Sequence, residues 1–362
     1  MAVTIFGVPD PRFWSGKRVL VTGHSGFKGG WLALWLASLG ADVVGISNGR
    51  PSQPCLFDVA HVSRNVTSVE GDVRDLDEVV RVVREYAPDI VFHLAAQALV
   101  RGSYEDPIGT YATNLMGTVH MLEAVRRTSS IRVLVNVTTD KCYENREWEW
   151  GYREIDTLGG RDPYSSSKAC AELVTAAYRS SFFSSDDSAA VATARAGNVI
   201  GGGDWGADRI IPDLMRGAIE GVPVRVRNPD AVRPWQHVLN PLSGYLVLAE
   251  HLWHAREIAG AWNFGPGEID SRSVAWIVER IADLWDDGLR WERDTDQHPH
   301  EANILKLDST LARTRLAWTP AWDLEQGVAA TVNWYGAYKA GEDMHRFSLE
   351  QIGAYQAANS DQ

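Results

Sequence analysis

Tyr164 and Lys168, in the run Asp162-Pro163-Tyr164-Ser165-Ser166-Ser167-Lys168-Ala169, place a phenol and an ammonium four residues apart. That spacing brings two side chains onto one face of a helix. A nearby cation stabilises the phenolate and lowers the tyrosine pKa toward working pH, which lets Tyr164 accept or donate a proton. Alone, such a pair reads as an amphipathic surface pair. It gains meaning from the glycine-rich loop upstream, Thr22-Gly23-His24-Ser25-Gly26-Phe27-Lys28-Gly29-Gly30. Together the two features point to hydride chemistry on a nicotinamide cofactor.

The loop follows an apolar strand, Val19 to Thr22, and runs into a helix carrying Trp31, Leu32, Leu34, Trp35 and Leu36. Its glycines allow a sharp turn and close backbone approach, and the helix N-terminus offers free N–H groups and a positive dipole end to a pyrophosphate. The spacing is GxxGxxG, not the more familiar GxGxxG. A carboxylate at the end of the second strand would hold the ribose 2′-OH of NAD, but that strand ends Ile46-Ser47-Asn48-Gly49-Arg50. Arg50 either meets a 2′-phosphate, favouring NADP, or is a solvated loop cation.

Strand-like and helix-like segments alternate through the first half of the chain. Arg18 to Thr22 reads as strand, Lys28 to Leu39 as helix, Asp42 to Ser47 as strand, Leu76 to Tyr86 as helix and Ile90 to Leu94 as strand. A long helix from Tyr111 to Arg127, a strand from Val133 to Thr138, a helix from Ser165 to Ser180 and a strand from Ala190 to Ala194 follow. The alternation predicts an α/β fold with a doubly wound parallel (Rossmann) sheet. After Asn198 loops rich in Gly, Pro and Trp suggest a smaller C-terminal substrate-binding lobe. A helix at about Pro241 to His254 and a strand at Ala261 to Phe264 return to the first sheet. The expected division is therefore interwoven, with 14–198 and 230–264 in the dinucleotide-binding domain and 199–229 and 265–345 in the lobe.

The 362 residues, 45% of them hydrophobic, suffice to bury a large core. A net charge of -12 argues against a nucleic-acid or anionic-membrane surface. The three cysteines, Cys55, Cys142 and Cys170, are widely spaced without a CxxC, so reduced thiols are expected rather than a disulfide framework or a zinc site. With no basic segment leading an apolar stretch at the N-terminus, and no apolar run of spanning length, a soluble cytoplasmic protein is expected.

In their order along the chain, several further motifs resemble the extended short-chain dehydrogenase/reductase family, and within it the CDP-glucose 4,6-dehydratase branch. They are Gly71-Asp72-Val73-Arg74-Asp75, His93-Leu94-Ala95-Ala96-Gln97, Thr138-Thr139-Asp140-Lys141-Cys142-Tyr143 and Arg195-Ala196-Gly197-Asn198-Val199-Ile200-Gly201-Gly202-Gly203-Asp204-Trp205, followed by Ala231-Val232-Arg233-Pro234-Trp235 and His300-Glu301. In dTDP-glucose dehydratases the three residues matching 139–141 are Thr-Asp-Glu, whereas Lys141 is the version seen in the CDP-glucose branch. The resemblance implies NAD as cofactor. Asp72 and Val73 would contact its adenine, Ala95 and Ala96 line its groove, and Tyr164 and Lys168 hold its nicotinamide ribose end. Gly23, Ser25, Gly26, Phe27, Gly29, Leu94 and Thr138 complete the expected cofactor set.

The same resemblance implies a nucleotide-sugar substrate and a catalytic set of Thr139, Asp140, Lys141, Tyr164 and Lys168. Asp140 is the better candidate for the acid, which requires a raised pKa, and Lys141 for the base, which requires a lowered one. Thr139 would bond the 4-oxygen or, equally, cap the following turn. Gln97, Asn198, Arg209, Arg233, His300 and Glu301 are the expected substrate contacts, with Arg233 suited to a diphosphate. Trp205 or Trp235 would stack on the base, although any one of fifteen tryptophans is commonly core. His298-Pro299-His300-Glu301 lacks the helical HExxH arrangement, so no metal is expected. A homodimer paired through the helices 111–127 and 165–180 is the family's usual assembly. A nucleotide-sugar C4 epimerase is the nearest rival reading, and a non-catalytic cofactor-sensing protein a more distant one.

Overall fold

The computed structural model describes residues 7–285, 288–296 and 302–360. Seven parallel strands form its central sheet: β1 (Arg18–Thr22), β2 (Asp42–Ser47), β3 (Thr67–Glu70), β4 (Ile90–His93), β5 (Val133–Val137), β6 (Ala190–Ala196) and the strand Ala261–Phe264. Their spatial order is Ala261–Phe264, β6, β5, β4, β1, β2, β3. The chain thus winds outward from β1 to β3 and returns to continue from β4, which opens a crevice at the strand C-termini between β1 and β4.

Both faces of the sheet are covered, so the inner strands are buried on both sides and mostly apolar. Val19, Val21, Phe92 and Val135 face one side, where the helices Phe27–Ser38 and Leu239–His254 pack. Leu20, Val91 and Leu134 face the other, under the helices Leu76–Tyr86, Gly117–Arg126 and Pro163–Phe182. The two C-terminal helices, Leu324–Lys339 and Met344–Ser360, add Trp334, Tyr335 and Tyr355 to the first side.

The helix anticipated over 165–180 runs over Pro163–Phe182. Asp162 caps it, accepting from the Ser165 amide at 2.8 Å, and Pro163 suits the first helical position because it lacks the N–H that would go unsatisfied there. The helix expected over 111–127 begins at Pro107 and passes through a wider-wound segment, Ala112–Met116, before Gly117–Arg126. The edge strand β3 was not anticipated, because Thr67–Glu70 is solvated apart from partly buried Val69 and carries no apolar pattern. As expected, Ala261–Phe264 returns to the sheet and pairs parallel with β6.

Beyond β6 the chain makes short two-stranded ribbons. Val199–Ile200 pairs with Gln236–His237, Val232–Pro234 with Ser271–Ser273, and Val224–Val226 with Trp291–Arg293. Among the described residues no helix is long and apolar enough to cross a membrane.

Candidate active site

A cleft of about 1210 Å³ lies at the C-terminal ends of the strands, between the sheet and the ribbons. Every described residue singled out from the sequence as cofactor, catalytic or substrate contact lines it. His300 and Glu301 lie outside the described residues.

On the cofactor side the backbone is held closely. Gly23 has φ +75°, and a Cβ there would lie 2.8 Å from the Ala95 nitrogen; a Cβ on Gly29 would lie 2.1 Å from the Gly23 carbonyl. Only glycine lets the loop fold onto its own helix and onto the 94–96 segment. The Thr22 hydroxyl accepts from the amides of Leu94 and Ala95 at 3.1 and 3.0 Å, which joins the ends of β1 and β4. Ser25 is tied to the end of β2, its amide donating to Ser47 Oγ at 3.2 Å and its hydroxyl to the Gly49 carbonyl at 2.6 Å. Gly26 and Phe27 open the helix Phe27–Ser38 toward the cleft. This cradle, with a helix N-terminus over it, fits the pyrophosphate of a dinucleotide.

Asp72 lies at the far end of the cleft, where its carboxylate accepts from Arg74 and, at 3.3 Å, from Asn48. Those hydrogen bonds from Arg74 hold its pKa below the ordinary value. Val73 is buried beside it. Arg50 is already neutralised: its Nε lies 2.9 Å from Asp58 Oδ1 and its guanidinium covers the Phe57 ring at 4.0 Å. A 2′-phosphate would have to compete with Asp58 for it.

At the centre of the cleft, Tyr164 and Lys168 share a helix face, and both are buried. Burial pushes the Tyr164 phenol up to about 12, against a hydrogen bond with Thr139 and the charge of Arg209. The expectation that a neighbouring ammonium brings this phenol toward neutrality therefore does not hold for the protein by itself, because desolvation of the phenolate outweighs the cations. Lys168 Nζ donates to the Val137 carbonyl at 3.2 Å, and burial pulls the ammonium down to about 8.

Thr139, Asp140 and Lys141 follow β5. Thr139 caps the short turn Asp140–Cys142, its hydroxyl accepting from the Lys141 amide at 3.4 Å and donating to Asp140 Oδ1 at 3.0 Å. Of its two expected uses the hydroxyl makes the cap, and it also meets Tyr164. Asp140 is buried, and its Oδ2 has no hydrogen-bond partner among the described residues. Burial raises its carboxyl, outweighing the charges of Lys141, Arg233 and Lys28. An acid at this point keeps its proton longer than a solvated aspartate would. Thr138, just before the turn, donates to Glu172.

The substrate-side residues line the cleft but are engaged with the protein. Gln97 folds back on its own loop, donating to the Leu99 carbonyl at 2.9 Å and accepting from the Leu99 amide at 2.7 Å. Arg209 pairs with Asp204 at 3.0 Å. Arg233 donates to the carbonyls of Val232, Asn303 and Ala302. The Asn198 carbonyl accepts from the Gln236 amide at 3.0 Å. Trp205 and Trp235 are buried; Trp205 packs edge-on against Trp334, Tyr335 and Tyr338, and Trp235 donates to the Arg272 carbonyl. Of the two expected uses, both rings take up packing, and both also line the cleft.

Lys28 lines the cleft inside the glycine loop and was not singled out from the sequence. Burial draws its ammonium down to about 8, with Arg209 and Lys168 pressing in the same direction and Asp140 and Asp204 opposing.

A family model described as GDP-mannose 4,6 dehydratase matches residues 20–331. A CDP-glucose 4,6-dehydratase from Salmonella typhimurium is 49% identical over 97% of this chain and 99% of its own length. A dTDP-glucose 4,6-dehydratase from Xanthomonas campestris pv. campestris is 29% identical over 92% of this chain and 98% of its own. Among solved structures, the dTDP-glucose 4,6-dehydratase of Bacillus anthracis in complex with NAD aligns with a TM-score of 0.75 at 23% identity, covering 90% of this chain and 99% of that one. The UDP-glucose 4-epimerase of Thermus thermophilus in complex with NAD aligns equally well, with a TM-score of 0.75 at 24% identity, over 88% of this chain and 99% of that one. Dehydratases and epimerases share this fold, so the structural likeness speaks for architecture alone. The sequence relationship is more specific: the chain belongs to the GDP-mannose 4,6 dehydratase family.

Proposed function

We propose that this protein is an NAD-dependent nucleotide-sugar 4,6-dehydratase that converts CDP-glucose to the CDP-4-keto-6-deoxyhexose. The observation that carries this reading is the meeting, in one cleft, of Tyr164 with the turn bearing Asp140 and Lys141, where burial keeps Asp140 protonated beyond its ordinary range. The 49% identity to a CDP-glucose 4,6-dehydratase supports the choice of substrate.

NAD held over the 23–29 loop would supply reversible hydride acceptance and a positive ring charge in the cleft. Gly23, Ser25, Gly26, Phe27 and Gly29 would cradle its pyrophosphate, with Leu94, Ala95, Ala96 and Thr138 along its groove and Asp72 and Val73 at its adenine. The NAD complexes of the aligned dTDP-glucose 4,6-dehydratase and UDP-glucose 4-epimerase support NAD as the cofactor. Tyr164 takes the proton from the sugar 4-OH, and Lys168 holds the ribose and keeps positive charge beside the reaction. Thr139 bonds the 4-oxygen. The resulting C4 ketone acidifies the C5 proton, which Lys141 removes as the C6–O bond breaks, while Asp140 protonates the departing hydroxyl to release water. As C6 is reduced, Lys141 gives its proton back to C5.

The lobe formed by 199–229 and 265–345 would carry the nucleotide, with Asn198, Arg209 and Arg233 at the diphosphate and Gln97, His300 and Glu301 at the sugar rim. Ile108, Met116, Leu173 and Phe182 are 82%, 44%, 59% and 50% exposed on the helices flanking the sheet, which supports a homodimer paired through these helices. The free thiols Cys55, Cys142 and Cys170 suit the reducing cytoplasm.

Incubation with CDP-, dTDP-, UDP- and GDP-hexoses, with products weighed by mass spectrometry, tests the reading. CDP-glucose is expected to give a product lighter by one water, and cofactor extracted from the protein is expected to be NAD. A product of unchanged mass would favour the epimerase instead.

A further inference from the structure

A buried ion pair lies beneath the cleft, outside the residues assigned above. Glu172 and Arg195 meet at 2.8 Å with both side chains 3% exposed. One Glu172 oxygen accepts from Thr138 Oγ1, and the other accepts from Thr193 Oγ1 at 2.7 Å and from Arg195. Burial alone would raise the Glu172 carboxyl, but the hydrogen bonds from Arg195, Thr138 and Thr193 and the Arg195 charge hold it below the ordinary value. Arg195 also donates to the Tyr143 hydroxyl at 2.7 Å, and that hydroxyl donates to Asn263 Oδ1 at 2.8 Å.

Thr138 and Tyr143 bracket the turn that carries Asp140 and Lys141, so both ends of the turn are tied to one ion pair. Glu172 also stands four residues after Lys168 on the same helix face. A single carboxylate thus touches the strand end before the turn, connects through Arg195 to the residue after it, and places negative charge beside the buried ammonium.

We propose that Glu172 is a positioning residue, paired with Arg195, that holds the turn Asp140–Cys142 in register with Lys168 and the Tyr164 helix, so that oxidation at C4 and elimination across C5/C6 act on one bound sugar. This rests on the dehydratase reading. The groups facing Lys168 are Glu172 from its own helix, Cys142 from the turn, Lys28 from the loop helix and His93 from the end of β4. Glu172 raises the Lys168 pKa against burial, whereas the charges that bear on Lys28 are those of Arg209, Asp140, Lys168 and Asp204. Removing the Glu172 charge therefore lowers the Lys168 pKa and leaves the charges bearing on Lys28 in place.

The test uses Glu172→Gln and Tyr143→Phe in the cofactor-loaded protein with CDP-glucose, following nicotinamide absorbance and water loss separately across pH. Glu172→Gln should move the alkaline limb of nicotinamide reduction to lower pH by roughly one unit, as expected when an opposite charge beside a buried ammonium is removed. Tyr143→Phe should leave nicotinamide reduction near its original rate and slow water loss by about tenfold to a hundredfold, the penalty of a small misplacement. A lowered melting temperature with an unmoved pH limb and both half-reactions slowed equally would reduce the pair to a support of the fold and overturn the proposal. Should Glu172→Gln fail to fold, Tyr143→Phe decides. Unsubstituted protein that reduces its nicotinamide without losing water contradicts the dehydratase reading instead, and the pH limb of nicotinamide reduction still reads Glu172.

Discussion

The two sides of the cleft are built from different materials. On the cofactor side the contacts come from backbone: Gly23 and Gly29 fold the loop within 2.8 Å and 2.1 Å of neighbouring main-chain atoms as measured from a hypothetical Cβ, and Thr22 joins the ends of β1 and β4. On the substrate side they come from long side chains, and Gln97, Arg209 and Arg233 are all held by partners within the protein. A backbone cradle tolerates almost no substitution, whereas side chains that already have partners can exchange them for a ligand. Substitutions on the cofactor side should therefore abolish a step, and those on the substrate side should grade it.

The largest effect is expected at the junction of the two sides. Tyr164→Phe removes the proton acceptor and should slow nicotinamide reduction by about 10²–10⁴-fold, read as bound-cofactor absorbance in a single turnover. Lys141→Ala should leave that reduction visible while no water is lost; full turnover in this variant would remove Lys141 from the elimination. Gly29→Ala comes next. Its methyl would meet the Gly23 carbonyl at 2.1 Å, so the loop must shift at a cost of about 1–3 kcal/mol, and the purified variant should carry little cofactor. Unchanged cofactor retention would mean that the loop is looser than its packing indicates.

On the other side, Arg209→Ala should raise KM for the nucleotide sugar by roughly tenfold to a hundredfold, the worth of one charged hydrogen bond, with cofactor content unchanged. Gln97→Ala, which loses bonds to its own loop, should cost about 1 kcal/mol of stability and move KM less. Loss of bound cofactor from either variant would break the comparison. The pH profile is the subtlest reading. Lys168, drawn down to about 8, loses its proton as pH rises through that value, and Asp140, pushed up, loses its acid form in the same direction. These losses oppose the gain of the base forms of Tyr164 and Lys141, so water loss should pass through a maximum and fall on its alkaline side; a water-loss profile with no alkaline limb would contradict the roles of Lys168 and Asp140.

What could be read from sequence follows the same division. The parallel sheet was legible because β1, β4 and β5 each carry a run of three apolar residues, and β3 was not, because its edge position leaves it solvated. The helix carrying Tyr164 and Lys168 was recognised, although Asp162 and Pro163 start it two residues earlier than its apolar pattern suggests. The glycine loop announced itself by spacing. The state of Tyr164 did not, since a pKa near 12 depends on how much water the fold excludes and not on a lysine four residues away. Glu172 carried a signal in its spacing from Lys168, yet its bonds to Thr138, Thr193 and Arg195 arise from strands that only the sheet brings together. Trp205 and Trp235 show the converse, since aromatic residues near a family motif turned out to be core.

The central claim is that the oxidation at Tyr164 is used for dehydration. Turnover of CDP-glucose deuterated at C4 tests it most directly. The account predicts a product lighter by one water with the deuterium at C6. A product of unchanged mass with the deuterium still on C4 would contradict it.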